Sequence, residues 1–470
     1  MNRDKTQLFH AGLTQEETNE LSAYSFSTGS LPIRYLGLLL MHRKLKISEY
    51  SPLIDKLNGN FNFWATKSLS FAGRAMLLKT VITGMVVFWI STFFLPKGCI
   101  RRTESLCSRF LWSGSIDRRA QNKVSWKIVC LPKDEGGIGL RSFRCWNTTL
   151  LLRFIWLLFS GSDSLWVAWN KTHHCRTSYH FWVQQESPMQ TWNWHCLLRL
   201  RDLASRFLLS KIKNGQDTSF WFDIWTPLGP LINVLAPADS GLQSQLLLPH
   251  PRSDDEVTLH TYLFTLAMPS MELGPDSFSW VTGAVSSSFY SSSKTWDVLR
   301  PKGAIQRTAK RIWFPGATPK HAFHLWVTNL NRLPTRDRLL SWGMPVSPSC
   351  CICSNRPESR DHLMLSCSYV LILWAEVRFR LQCTVPTFNT WSELMEWTCL
   401  STVGAPSVLK MLVTQALVYS VWRQRNNMLH NQSLSPPLVE FKDVNRQVIN
   451  SINAQRNKKK FKDLMCRWLL

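Results

Sequence analysis

A mainly α, multidomain protein is what this sequence predicts, on three observations. At 470 residues the chain exceeds one ordinary domain, because single hydrophobic cores stop growing well short of that length. Its 45% hydrophobic and 18% charged residues supply enough apolar surface for real cores and exclude global disorder or a coiled coil. Its apolar residues also recur at helical spacing over several long stretches.

Taken in order, residues 1–30 are a polar lead-in without the apolar core of a secretory signal, ending in the small-residue stretch Ser25 to Ser30. Residues 31–145 are dense, basic and helix-like. Within them the uncharged run Thr80 to Pro96 is shorter than the roughly 20 residues of a spanning helix. It contains Thr83, Gly84 and Ser91, which predicts a buried core helix and no membrane partner. Ile100, Thr103, Leu106, Cys107, Phe110 and Leu111 share one stripe and leave Arg101, Arg102 and Arg109 on other faces, an amphipathic helix against a core. Pro132 to Leu140 reads as a turn whose Gly136, Gly137 and Gly139 lack the spacing of a phosphate cradle.

Residues 146–235 read as a helical connector, with 148–159 apolar nearly all round and therefore an interior helix. Residues 236–300 read as an acidic, Pro-rich linker with short strands: Pro237, Pro249, Pro251, Pro269 and Pro275 accumulate there, and up to Ser277 the acids face only Arg252. The polar stretch Ser286 to Ser293 is a strand or loop. Residues 301–380 form a small module beginning in a strongly basic block. Between residues 298 and 344, Arg300, Lys302, Arg307, Lys310, Arg311, Lys320, Arg332, Arg336 and Arg338 are opposed by Asp337 alone. Residues 381–470 are a helical, basic tail. Its main helix starts at Ser407 after Pro406 and carries Leu409, Leu412, Val413, Ala416, Leu417 and Val421 at helical spacing.

The formal net charge of +24 favours a polyanionic partner, nucleic acid ahead of anionic membrane. The 13 cysteines are scattered except for one group, which suits an intracellular, reducing compartment better than a disulfide framework. The 23 tryptophans are spread along the chain, so most belong to cores. Trp313, Trp326 and Trp342 lie in the basic block, where packing around the adjoining Cys/His module is the first reading and stacking on bases the alternative.

One constellation carries chemistry: Cys350-x2-Cys353-x8-His362-x4-Cys367. A Cys pair two residues apart bites one ion from a tight turn, and His362 and Cys367 return two more ligands. Four such ligands describe a closed tetrahedral Zn²⁺ site, hence a structural one. The two-residue spacing selects Cys350, with Cys351 as the alternative. A deaminase-type zinc would need His-x-Glu upstream, where His321-Ala-Phe and His324-Leu-Trp stand instead. His173, His174, Cys175, His195 and Cys196 have no ligand spacing and read as core or surface residues. Polymerase chemistry needs paired carboxylates on metal ions. The only Asp-Asp pair, Asp254-Asp255, lies in the acidic linker and reads as a solvated run. No catalytic residue is expected, and no small-molecule substrate.

Several segments resemble plant LINE-type (non-LTR) retrotransposon reverse transcriptases downstream of the palm. These are Leu31 to Leu38 (LPIRYLGL), Trp64 to Arg74 (WATKSLSFAGR), Phe110 to Gly114 (FLWSG) and Ser219 to Trp225 (SFWFDIW). Trp313 to Trp326 (WFPGATPKHAFHLW), Asn331 to Leu339 (NRLPTRDRL) and the four ligands are similar to the zinc-binding domain of those enzymes. The resemblance implies that residues 31–145 are thumb-like and that 301–380 is the zinc-binding domain. It further implies a C-terminal part that starts past the Asp-Asp loop and ends before any ribonuclease H domain. Zinc ligation carries over onto Cys350, Cys353, His362 and Cys367, and catalysis onto nothing. The expected function is non-catalytic: zinc held structurally, and RNA or DNA held through Lys320, Arg332, Arg336 and Arg338, with the polymerase part of a reverse transcriptase as a further partner. A zinc-organised protein scaffold and a retroelement relic without function are the alternatives.

Overall fold

A computed structural model of the chain describes residues 7–10, 13–22, 26–29, 32–40, 43–118, 121–174, 180–188, 190–234, 253–382 and 387–469. The fold is mainly helical, as the periodicity predicts. Its principal helices are α1 (Ser51–Ala65), α2 (Phe71–Ile90), α3 (Lys97–Ser113), α4 (Phe143–Phe159), α5 (Asp254–Thr265), α6 (Ser292–Leu299), α7 (Pro319–Asn329), α8 (Arg336–Ser341), α9 (Ser368–Leu381), α10 (Ser407–Asn431) and α11 (Pro437–Asn453). Besides a two-residue parallel pair, Gln7–Leu8 with Ser27–Thr28, the short strands are β1 (Ile33–Tyr35), β2 (Leu38–Leu40), β3 (Leu208–Lys211), β4 (Ser277–Thr282) and β5 (Val285–Ser287). The chain divides into two compact units, each assembled from three stretches: Met1–Lys56, Gly84–Arg102 and Phe143–Arg300 in one, Leu57–Thr83, Thr103–Ser142 and Pro301–Leu470 in the other.

In the first unit α4 is the core helix. Leu151, Leu152, Ile155 and Trp156 are buried in one cluster with Phe181, Trp194 and Trp280, which explains a helix apolar on nearly every face. Asn147 on the same helix accepts from the Leu95 amide at 3.0 Å and donates to the Ile90 and Phe93 carbonyls at 2.8 Å. It thereby satisfies carbonyls left free at the end of α2. The sheet runs β3-β4-β5, antiparallel throughout, with Leu208 opposite Trp280. Residues 235–252, and with them Pro237, Pro249, Pro251 and Arg252, lie outside the described residues. Beyond them Asp254 and Asp255 form the exposed first turn of α5, capped by Ser253, where negative charge meets the positive end of the helix.

Residues 33–40, inside the stretch expected to be helical, form the hairpin β1-β2. Its turn places Leu36 at φ +49° and Gly37 at φ +88°, the left-handed pair of a tight hairpin. The run Thr80 to Pro96 requires a correction as well. Leu78, Ile82, Val86, Trp89 and Ile90 are buried, but Met76, Val81 and Phe88 face outward, so α2 is buried on one side only. Helix α2 is the one described helix long and apolar enough to cross a membrane by length and composition.

The second unit holds the Cys/His module. Helices α7, α10, α11 and α9 pack in succession, α7 on α10, α10 on α11 and α11 on α9. Helix α10 is buried on most faces: Leu409, Leu412, Val413, Leu417 and Val421 are inside together with Thr414, Gln415 and Ser420. Its apolar stripe is legible in the sequence, whereas its buried polar positions are not. The Pro132 turn is an anchor: Glu135 is buried and accepts from the Gly303 amide at 2.7 Å, and the Trp326 indole donates to the Gly136 carbonyl at 2.8 Å. A Cβ on Gly137 would lie 2.0 Å from the Leu131 carbonyl oxygen, so only glycine fits there.

Candidate metal centre

The first two cysteines stand on a tight loop closed by backbone. Ser349 bridges Pro357, the Cys350 amide donates to the Arg356 carbonyl at 2.7 Å, and the Ser354 amide returns to the Cys350 carbonyl at 2.9 Å. Ser354 takes φ +56°, the left-handed conformation that reverses the chain just after Cys353. The other pair comes from a single π turn, His362–Ser366, in which the Cys367 amide donates to the His362 carbonyl at 2.8 Å. Cys367 itself is extended and stands just before α9, so the wider turn brings His362 and Cys367 to the same side.

The four side chains converge. One ligand atom from each of Cys350, Cys353, His362 and Cys367 lies within 4.8 Å of all the others, and no other such group of three or more occurs among the described residues. Tetrahedral zinc with Zn–S bonds of 2.3 Å separates its sulfurs by about 3.8 Å, so closure around an ion asks for side-chain adjustment only. Cys353 Sγ is 3.3 Å from His362 Nε2, which puts Nε2 toward the centre. The opposite nitrogen, Nδ1, is 3.4 Å from the Ser366 hydroxyl. A hydroxyl on the nitrogen away from the centre fixes the ring of a ligating histidine. A hydrogen bond from Cys367 lowers the Cys350 thiol from its ordinary pKa, and the same contact raises Cys367. Three cysteines and an imidazole, three of the four residues buried, fit Zn²⁺ by donor type and spacing.

Cys351 is turned away from this group. Its sulfur reaches toward the Arg425 carbonyl at 3.8 Å, and burial pushes its thiol up to about 12. Beside it lies a group that spacing did not suggest. Glu358 is fully buried and pairs with the buried Arg425 at 2.9 Å, while also accepting from the Arg336 amide at 3.1 Å and facing the Cys351 amide at 3.4 Å. Among the described residues the second His/Cys group does not assemble. Cys175 lies outside the described residues, His173 stacks on Trp169, His174 stacks on Trp194, and His195 Nε2 meets the Ser187 carbonyl at 2.9 Å.

The four basic side chains chosen from sequence divide in two. Arg332, Arg336 and Arg338 follow one another around the start of α8, next to the cysteine loop. Arg332 is exposed, whereas Arg336 is half-buried and donates to the Ser349 carbonyl, and Arg338 donates to the Asn331 carbonyl. Arg338 also lies 5.0 Å over the ring of the exposed Trp342. Lys320 is exposed at the opposite end of α7, its ammonium 5.2 Å over Tyr419. Of the other two tryptophans, Trp326 is buried and Trp313 half-buried.

Comparison with known proteins agrees with this site. Residues 290–374 match the family described as zinc-binding in reverse transcriptase, a span that encloses all four ligands. An Arabidopsis thaliana protein named for ribonuclease H is 25% identical over 362 residues, 72% of this chain and 57% of that protein. The chain therefore spans little more than half the length of that relative. An uncharacterized mitochondrial protein of Arabidopsis thaliana is 29% identical over 152 residues, 31% of this chain and 97% of that protein. Residues 290–374 are thus similar to the reverse-transcriptase zinc-binding family, and the chain more widely is similar to these two plant proteins.

Proposed function

We propose that Cys350, Cys353, His362 and Cys367 hold one structural Zn²⁺, and that the basic surface beside them retains RNA or DNA without catalysing a reaction on it. The convergence of four ligand atoms within 4.8 Å carries this reading. Bound there, zinc would contribute folding energy, on the order of 10–16 kcal/mol in small zinc modules. The chain supplies all four donors, which leaves no open position for water or substrate. Arg332 and Lys320 offer exposed charge to phosphates. Arg336 and Arg338, each with an N–H given to a backbone carbonyl, present their remaining donors from fixed positions. The polymerase part of a reverse transcriptase is the protein partner we propose.

Metal analysis of the purified chain tests the zinc. One equivalent of zinc is expected in the native protein and well below one in Cys353→Ser, and a metal-free but folded native chain would refute the reading. A scaffold role draws support from α9, which leaves Ile372 and Phe379 exposed directly after Cys367. Arg332→Glu separates the two readings. Weaker nucleic-acid retention supports binding, and unchanged retention with lost capture of the polymerase part supports the scaffold.

A further inference from the structure

On one face of the second unit α2, the Pro132 turn, the Trp313–Phe314 loop and α7 enclose a pocket of about 200 Å³. Its floor is made roomy by the small side chains Ala72, Ala75 and Ala322, and Phe314 and Phe323 supply aromatic walls. Among the described residues, Lys79 and Lys133 stand at its lining and no carboxylate does. Among the described residues neither lysine has an ion-pair partner. The Lys133 ammonium lies 4.6 Å over the Trp313 ring, held above apolar surface and not paired. Burial first, and then the like charge of Lys79, lower its pKa. An anion arriving between the two would relieve that repulsion. The pocket is smaller than the roughly 300–1,000 Å³ of a drug-sized ligand site, and its size, apolar lining and two lysines suit a small apolar body that carries one negative group.

We propose that this pocket takes a single unstacked nucleobase of a single strand, with Lys79 and Lys133 on the adjoining phosphate. Single strands are held in general by a cationic track combined with apolar or aromatic seats for bases. The inference rests on the nucleic-acid reading above and adds to it a seat at which bases, and not only phosphates, contribute. Neither Lys79 nor Ala75 belongs to the metal centre or to the arginines beside it.

The test compares the full zinc-loaded chain on a twelve-nucleotide oligothymidylate and on an abasic strand of equal length. The base-bearing strand should bind about tenfold tighter. That ratio should fall toward one in Ala75→Leu and Ala72→Leu, which fill the pocket, with zinc content unchanged. Lys79→Gln with Lys133→Gln, both surface changes, should weaken binding of both strands and keeps the test alive should a filled variant not fold. A ratio near one in the native chain, or a ratio untouched by both pocket-filling variants, overturns the proposal while salt-sensitive binding itself survives. Absence of binding to either strand overturns the nucleic-acid reading as well. Binding of an acidic amphipathic peptide in the pocket, with the oligonucleotide excluded, overturns the choice of occupant.

Discussion

Glu358 and Arg425 form the interaction on which the cysteine loop depends beyond its own backbone. Both are buried, 67 residues apart in the chain, and Arg425 also donates to the Pro334 carbonyl at 3.2 Å. Removing one member of a buried pair leaves a charge without compensation, which costs about 3–5 kcal/mol. Glu358→Gln should therefore lower the unfolding free energy by about that much in the zinc-loaded protein, read as a reduced denaturation midpoint. A change below about 1 kcal/mol would mean that the pair contributes little beyond packing. The convergence of Cys350, Cys353, His362 and Cys367 was legible in the sequence because their spacing is local, within one loop and one turn. Glu358 was not, since nothing local marks a glutamate whose partner lies on a distant helix. The basic residues were half legible. Sequence shows that Arg332, Arg336 and Arg338 carry charge, but not that two of them are half-buried with backbone carbonyls on their guanidinium groups.

Helix α7 places two histidines against α10, and both are held neutral. Burial first, then Lys320, lowers His321 from 6.5 to about 4; burial first, then Lys123 and His321, lowers His324 to about 3. His321 packs on Tyr419, and His324 lies near both Tyr419 and Trp422. The unfolded chain binds protons at these positions below pH 6.5 and the folded chain does not, so the stability they confer is full above 6.5 and declines as pH falls toward 4. A shift of that size is worth about 3 kcal/mol at most for His321. Urea midpoints measured from pH 7 to pH 4.5 should fall, and His324→Phe should flatten part of the slope; a parallel slope in that variant would assign acid sensitivity elsewhere, the zinc ligands included. At this scale legibility follows locality. Helices α3, α4 and α10 were readable from apolar spacing within themselves, and α10 begins at the residue that Pro406 announces. The sheet was not, because β3 pairs with β4 across a stretch of more than 60 residues, a choice made by tertiary contact. Helix α2 shows the converse limit: an uncharged run reveals apolar content but not how many of its faces find cover.

Over the whole molecule, the excess of 55 Lys and Arg over 31 Asp and Glu predicts how retention on nucleic acid responds to salt. Net charge alone gives weak, diffuse attraction. A defined set of phosphate contacts gives a linear fall of log affinity with log salt, with a slope of about −0.7 for each cation engaged on a single strand. Engagement of four side chains, the three arginines beside the cysteine loop and Lys320, would reduce affinity by about 50-fold between 50 and 200 mM salt. Arg332→Ala should make that slope shallower by about 0.7, since Arg332 is exposed and its loss removes one contact without disturbing the fold. Arg336→Ala should act differently, because the Ser349 carbonyl beside Cys350 loses its donor. It should lower stability or zinc retention together with affinity, and restoring zinc should recover part of the binding. If Arg332→Ala leaves the slope unchanged while Arg336→Ala abolishes binding at every salt concentration, retention depends on the shape of the zinc-held loop and not on the charge beside it.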